Sequence, residues 1–148
     1  MSDPDERLIR ATGRCNCGGV RYTIRGPLRE GCACHCNECR RMTGGAWHAT
    51  GAWREDLTID DPHGRLRWYR SSSQAQRGFC GECGASLFMD FPDRPIMIVT
   101  IGTMDAPTGI RLAMHIFTSE KGDYYEIADA LPQKADGPSG LPMPPRAE

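Results

Sequence analysis

Eight cysteines in a chain of 148 residues fall into three groups whose spacing suits metal ligation. The first is Cys15-Asn16-Cys17-Gly18-Gly19, a C-x-C-G-G turn that carries two thiols on one tight bend. The last is Cys80-Gly81-Glu82-Cys83-Gly84, a C-x-x-C-G knuckle whose glycines permit the backbone angles that bring amide N–H groups close to sulfur. A C-x-x-C pair also serves thioredoxin-type redox chemistry, but that motif opens a helix in a βαβ setting. Here residues 84–88 (GASLF) lead into a strand. Joined, Cys15, Cys17, Cys80 and Cys83 form a four-thiolate set of the type zinc takes in structural sites. The two pairs are far apart in sequence, so binding would close a long loop and add directly to folding free energy.

The middle group, Cys32-Ala33-Cys34-His35-Cys36-Asn37-Glu38-Cys39, is denser than a structural knuckle needs. Three arrangements are compatible with it. Cys34, Cys36 and Cys39 can hold zinc with three protein ligands and leave a fourth position exchangeable, which catalytic zinc requires. Alternatively Cys32 or His35 completes a second closed site. A metal-free thiolate is the third arrangement, since Arg40 and Arg41 follow Cys39 and a cationic neighbourhood lowers thiol pKa. It ranks last, because four thiols in eight residues would be open to oxidation.

The elements that must position these groups are short. Val20, Tyr22 and Ile24 alternate with charged or polar neighbours, and residues 46–53, 65–69, 86–89, 96–101 and 112–117 also read as strands separated by glycine turns. A single early helix is expected at 37–43, with Asn37 as its cap and Gly44 as its stop. The fold class is therefore mainly β. Residues 11–131 form one domain, between a charged N-terminal stretch (1–10) and a loose tail (132–148) with five prolines.

Leu, Ile, Val and Phe number only 23, so the cysteines are expected to compensate for a thin aliphatic core. A formal net charge of −1 and a pI near 6.4 give no electrostatic reason for binding along a phosphate backbone, so nucleic acid is excluded as a first reading. The opening residues lack the apolar stretch of a secretory signal, and the longest aliphatic run, 96–101, is far short of the roughly 20 residues of a membrane span. A soluble, cytoplasmic protein with reduced thiols is expected.

Several blocks, in order, resemble the glutathione-dependent formaldehyde-activating enzyme (GFA) family, which also includes the centromere protein V group. They are Gly13-Arg14-Cys15-Asn16-Cys17-Gly18-Gly19-Val20-Arg21-Tyr22, then Cys34-His35-Cys36-Asn37-Glu38-Cys39-Arg40-Arg41 with Gly44, then Tyr69-Arg70-Ser71-Ser72 and Arg77-Gly78-Phe79-Cys80-Gly81-Glu82-Cys83-Gly84. Gly102-Thr103-Met104-Asp105, His115-Ile116 and Lys121 follow where the family has a G-x-x-D turn, an H-I strand and a basic residue. The resemblance implies several coiled antiparallel β-sheets stapled by zinc, similar to the zinc-binding accessory factor of Rab GTPases. It implies structural zinc on Cys15, Cys17, Cys80 and Cys83, and catalytic zinc on Cys34, Cys36 and Cys39. Two departures stand out: Cys32 adds a thiol beside the central block, and Tyr124 stands where many members have tryptophan.

The activity implied is that of a carbon–sulfur lyase joining a small thiol such as glutathione to formaldehyde or another small aldehyde, giving an S-hydroxymethyl adduct, and the reverse. Glutathione is anionic, so Arg40, Arg41, Arg70 and Arg77 are expected anchors, with Ser71–Ser73 as hydrogen-bond donors. His48 is the expected proton shuttle if it points into the cleft, although alternation pairs it with Ala46 and Thr50. His115 is expected to be structural, and Trp47, Trp53 and Trp68 to pack the sheets. The alternative function is a non-catalytic protein-binding module in which both metals are structural.

Overall fold

The computed structural model describes residues 7–137 and 143–146. Ten strands form among them: β1 (Ala11–Arg14), β2 (Arg21–Ile24), β3 (Gly31–Cys34), β4 (Trp47–Trp53), β5 (Leu57–Asp60), β6 (Leu66–Arg70), β7 (Gln76–Cys80), β8 (Ser86–Asp90), β9 (Ile96–Thr100) and β10 (Leu112–Ile116). A two-turn helix, α1 (Asn37–Thr43), joins β3 to β4. The mainly β class expected from the sequence is what the structure has. Strands expected at 46–53, 65–69, 86–89, 96–101 and 112–117 occur as β4, β6, β8, β9 and β10. Short apolar runs between glycine turns are too brief for stable helices and bury one face through period-two alternation.

Three strands form one sheet in the order β1-β2-β5, and seven form another in the order β10-β3-β4-β9-β8-β7-β6. Pairing is antiparallel throughout except for β10, which runs parallel to β3. The small sheet packs Tyr22 and Ile24, together with Val20 just before β2, against Phe88, Val99, Met97 and Ala52 on one face of the large sheet. Leu87 joins this core through a bulge, where Phe79 pairs with Ser86 and Gly78 with Phe88, leaving Leu87 as the extra residue.

The other face of the large sheet carries a second apolar cluster: Cys32 and Cys34 from β3, Trp47 and Ala49 from β4, and Ile116 from β10. Register enforces this. Cys34 pairs with Trp47 and Ile116, and Cys32 with Ala49, so these side chains share one side of the pleat.

Helix α1 starts one residue earlier than expected in its capping chemistry. Cys36, not Asn37, is the N-cap: its Sγ accepts the Cys39 N–H at 3.2 Å. Asn37 is already helical, and its carboxamide oxygen accepts from Arg40 and Arg41. Gly44 ends the helix with φ 88° and returns its N–H to the Arg40 carbonyl at 2.8 Å.

Residues 132–136, where composition marks the start of a tail, hydrogen-bond beside β10. His115 N–H donates to Pro132 O at 2.9 Å, and Phe117 N–H donates to Asp136 O at 2.9 Å. This covers the outer edge of β10. Of the two terminal stretches, residues 1–6, 138–142 and 147–148 lie outside the described residues.

Candidate metal centres

The turn before β2 and the knuckle after β7 meet at one end of the core. The Sγ atoms of Cys15, Cys17, Cys80 and Cys83 all lie within 4.8 Å of one another. Cys15 to Cys17 is 3.5 Å and Cys17 to Cys80 is 3.7 Å. A tetrahedral ion with Zn–S bonds of about 2.3 Å sets its sulfurs about 3.8 Å apart, so the donor set fits zinc. Backbone amides support the sulfurs: Val20 N–H reaches Cys15 at 3.3 Å, and Glu82 N–H reaches Cys80 at 3.4 Å. Arg65 Nη1 adds a charged donor to Cys17 at 3.5 Å. Burial raises the Cys83 thiol, yet amides of Ala85 and Cys17 and the neighbouring thiols bring it down to about 6. A thiolate-stabilising environment is what a metal site requires.

The second cluster is Cys34, Cys36 and Cys39, again within 4.8 Å of one another. Cys34 ends β3, Cys36 caps α1 and Cys39 lies in its first turn, so strand, cap and helix aim three sulfurs at one point. Cys39 Sγ is 3.3 Å from Cys34 Sγ. Hydrogen bonds from Cys34 and Cys39 hold the Cys36 thiol well below its usual range, whereas the contact with Cys36 pushes Cys34 up.

Neither sequence candidate for a fourth ligand joins the cluster. Cys32 shares the face but sits two residues back on β3, roughly 6.6 Å along the strand. His35 turns to the opposite side. Among the described residues the group stays at three.

This three-thiol centre lines a cavity of about 450 Å³. Its walls are largely apolar, formed by Trp47, Met89, Phe91, Ile98, Ile116 and Phe117. Phe117 adopts φ 54°, an uncommon left-handed conformation for a bulky residue, held by its bond to Asp136. Arg77 also enters the cavity. It is 5 % exposed, donates through Nη2 to Cys39 Sγ at 3.3 Å and through Nε to Glu38 Oε1 at 2.8 Å, and its guanidinium stacks 5.3 Å from the Trp47 ring. The other expected anchors stand apart from it. Arg40 and Arg41 bond to Asn37 on their own helix, and Arg70 is exposed and donates to Ser73 O. Arg29, for which the sequence carried no motif, lines the cavity instead.

His48 pairs with Ala33 on β3, so it lies on the face away from Trp47, Ala49 and the cavity. The structure does not bring it to the three cysteines. On that same far face, His35 Nε2 meets His115 Nδ1 at 2.8 Å, His35 Nδ1 meets the Tyr125 hydroxyl, and His115 Nε2 reaches Asp129 at 3.0 Å. The chain Tyr125–His35–His115–Asp129 clamps the residue between Cys34 and Cys36. Buried polar rings need such partners. Sequence spacing had no way to pair His35 with residues 80 to 90 positions away.

A search of curated proteins finds no match. Among solved structures, the chain is similar to a Rhodobacter sphaeroides protein at 25% identity and a TM-score of 0.55, covering 64% of this chain and 88% of that one. A model of the family described as glutathione-dependent formaldehyde-activating enzyme matches residues 10–120, a span that contains both cysteine clusters, Arg77 and the helix between β3 and β4. On that match, the chain belongs to the glutathione-dependent formaldehyde-activating enzyme family.

Proposed function

We propose that the protein is a cytoplasmic, zinc-dependent carbon–sulfur lyase that adds a small thiol such as glutathione to formaldehyde or another small aldehyde. The observation that carries this reading is the contrast between the two clusters. One has four thiols and is complete; the other has three and opens on a cavity large enough for a peptide-sized thiol. Cys15, Cys17, Cys80 and Cys83 would hold a structural ion, and Cys34, Cys36 and Cys39 a second ion beside the substrate.

When bound, zinc supplies positive charge that lets an external thiol lose its proton near neutral pH. The chain's own residues do the rest. Arg77 offsets the negative charge of Cys39, and Trp47, Ile98 and Ile116 keep water from the reacting atoms. The thiolate sulfur attacks the aldehyde carbon; a carbon–sulfur bond forms as the carbonyl π pair moves to oxygen, which takes a proton from water. The reverse breaks the same bond and regenerates thiol and aldehyde.

Native mass spectrometry with and without glutathione tests the reading, together with the rate of formaldehyde–thiol addition. The addition also proceeds without an enzyme, so wild type is compared with Cys36→Ala. A glutathione adduct on the two-zinc species and a rate that falls to background in Cys36→Ala support the lyase. Two zinc ions with no adduct, and equal rates, would leave a metal-stapled binding module.

A further inference from the structure

Opposite the cysteine end, the cavity contains a charge with no counter-charge among the described residues. Arg29 is 9 % exposed, and its Nε is fully buried with no hydrogen-bond partner. No hydrogen bond or ion pair reaches any of its guanidinium nitrogens among the described residues. Only its backbone is tied down, to Gly51 O at 3.1 Å and to the Thr50 hydroxyl at 2.6 Å. The side chain lies flat across Gly51, where a Cβ would come within 2.9 Å of Nε. Gly51 therefore keeps open the path by which Arg29 enters the cavity.

A buried guanidinium left unpaired is strongly disfavoured, so such groups are normally matched by an anion. Among the described residues no carboxylate supplies it. Glu38 is bound to Arg77, and Glu120 accepts the Asn37 N–H, both at the helix α1 end. Near Arg29 the titratable neighbours are Arg94, which stacks on Phe91 at 4.2 Å, and the Cys32 thiol, whose pKa burial raises. The cavity thus has the three cysteine sulfurs and Arg77 at one end, Arg29 and Arg94 at the other, and apolar walls between. Trp47, opposite Cys34, and Gly51, beneath Arg29, are four residues apart on β4, about 13 Å at ~3.3 Å per residue.

We infer that Arg29, with Arg94 at the rim, is a carboxylate-binding subsite, and that the substrates of this cavity are elongated molecules with a carboxylate at the end remote from the reacting sulfur. A planar guanidinium binds carboxylate through two parallel hydrogen bonds, and the apolar walls strengthen them by excluding water. The inference rests on reading this cavity as the substrate site. It assigns the role of anion anchor to a residue outside the four arginines that the sequence suggested.

Isothermal titration of the zinc-loaded full-length protein with S-methylglutathione tests this, because the probe keeps both carboxylates and has no thiol to offer a metal. Wild type is expected to bind it, Arg29→Met to bind at least tenfold more weakly, and Arg29→Lys to fall between. The dimethyl ester of the same probe should bind wild type at least tenfold more weakly than the acid, a comparison that needs no variant. Because the probe offers no thiol, its binding is read separately from thiol–aldehyde addition, so a failure of the lyase reading leaves this result intact. The inference is overturned if wild type does not bind the acid, if acid and ester bind alike, if Arg29→Met binds like wild type, or if inorganic phosphate binds more tightly than the carboxylate probe.

Discussion

Arg77 Nη2 lies 3.3 Å from Cys39 Sγ, and through this contact β7, whose last residue is a ligand candidate of one cluster, touches the other cluster directly. The same guanidinium holds Glu38 and stacks on Trp47, so it ties helix α1 to the sheet at the point where three sulfurs converge. A donor to a metal-binding sulfur stabilises the thiolate and fixes its direction.

Arg77→Met keeps most of the aliphatic packing and removes the charge. Zinc should leave the Cys34/Cys36/Cys39 centre about ten- to a hundredfold faster under a chelator, following the usual effect of changing groups that support ligands. The Cys15 centre should hold its ion, and Arg77→Lys should recover part of the loss. Stopped-flow release monitored with a colorimetric chelator separates the two ions; a single unchanged release profile would contradict the role.

The two clusters should respond differently to loss of a thiol. Cys17 and Cys80 are 63 residues apart, so an ion between them closes a long loop. Cys80→Ser should therefore unfold most of the protein at 37 °C, read as loss of the near-ultraviolet circular dichroism signal. Cys36→Ala, at a half-buried helix cap, should keep that signal and lower stability by about 1 kcal/mol, the usual cost of a lost cap.

Gly13 sits where a Cβ would fall 2.2 Å from the Tyr22 ring and 2.6 Å from the Thr103 carbonyl. Backbone and a fully buried ring cannot both yield. Gly13→Ala should cost about 3 kcal/mol or more, above the usual 1–3 kcal/mol of overpacking, because it also displaces the 2.8 Å bond between Tyr22 and Thr103 hydroxyls. Urea unfolding measures it; a shift under 1 kcal/mol would mean that β1 and β2 separate more easily than their pairing suggests.

Burial drives the Tyr22 phenol well above its usual value, against the smaller opposing effect of Thr103. The sign follows from proton counting. Above about pH 10 the unfolded chain releases a phenolic proton that the folded chain keeps, so stability is full below that pH and falls as pH rises further. Tyr22→Phe should flatten this alkaline limb while lowering stability near neutrality by about 1 kcal/mol for the lost hydrogen bond. Chemical denaturation from pH 8 to pH 11 compares the slopes; parallel limbs would assign the alkaline loss elsewhere.

Residue type and short spacing were enough to sort seven of the eight cysteines into the two groups that the structure brings together. A ligand set is encoded locally, by thiols one to two residues apart on a turn, and only the joining of two turns needs the fold. The pattern of short strand-like runs likewise exposed β2, β4, β6, β8, β9 and β10. It failed for β1, β3, β5 and β7. Ala-Thr-Gly-Arg and Gly-Cys-Ala-Cys have little strand propensity of their own and become strands because neighbouring strands supply hydrogen bonds, β2 for the first and β10 and β4 for the second.

What the sequence could not decide was which way side chains face across the large sheet. His48 points away from the cavity because it is in register with Ala33, and Arg77 points into it because it is in register with Met89. Arg29 reaches the cavity from a loop, across a glycine more than twenty positions later. The central thiols were therefore legible as chemistry, whereas their charged and apolar surroundings were set by pairing between distant strands, which local pattern does not contain.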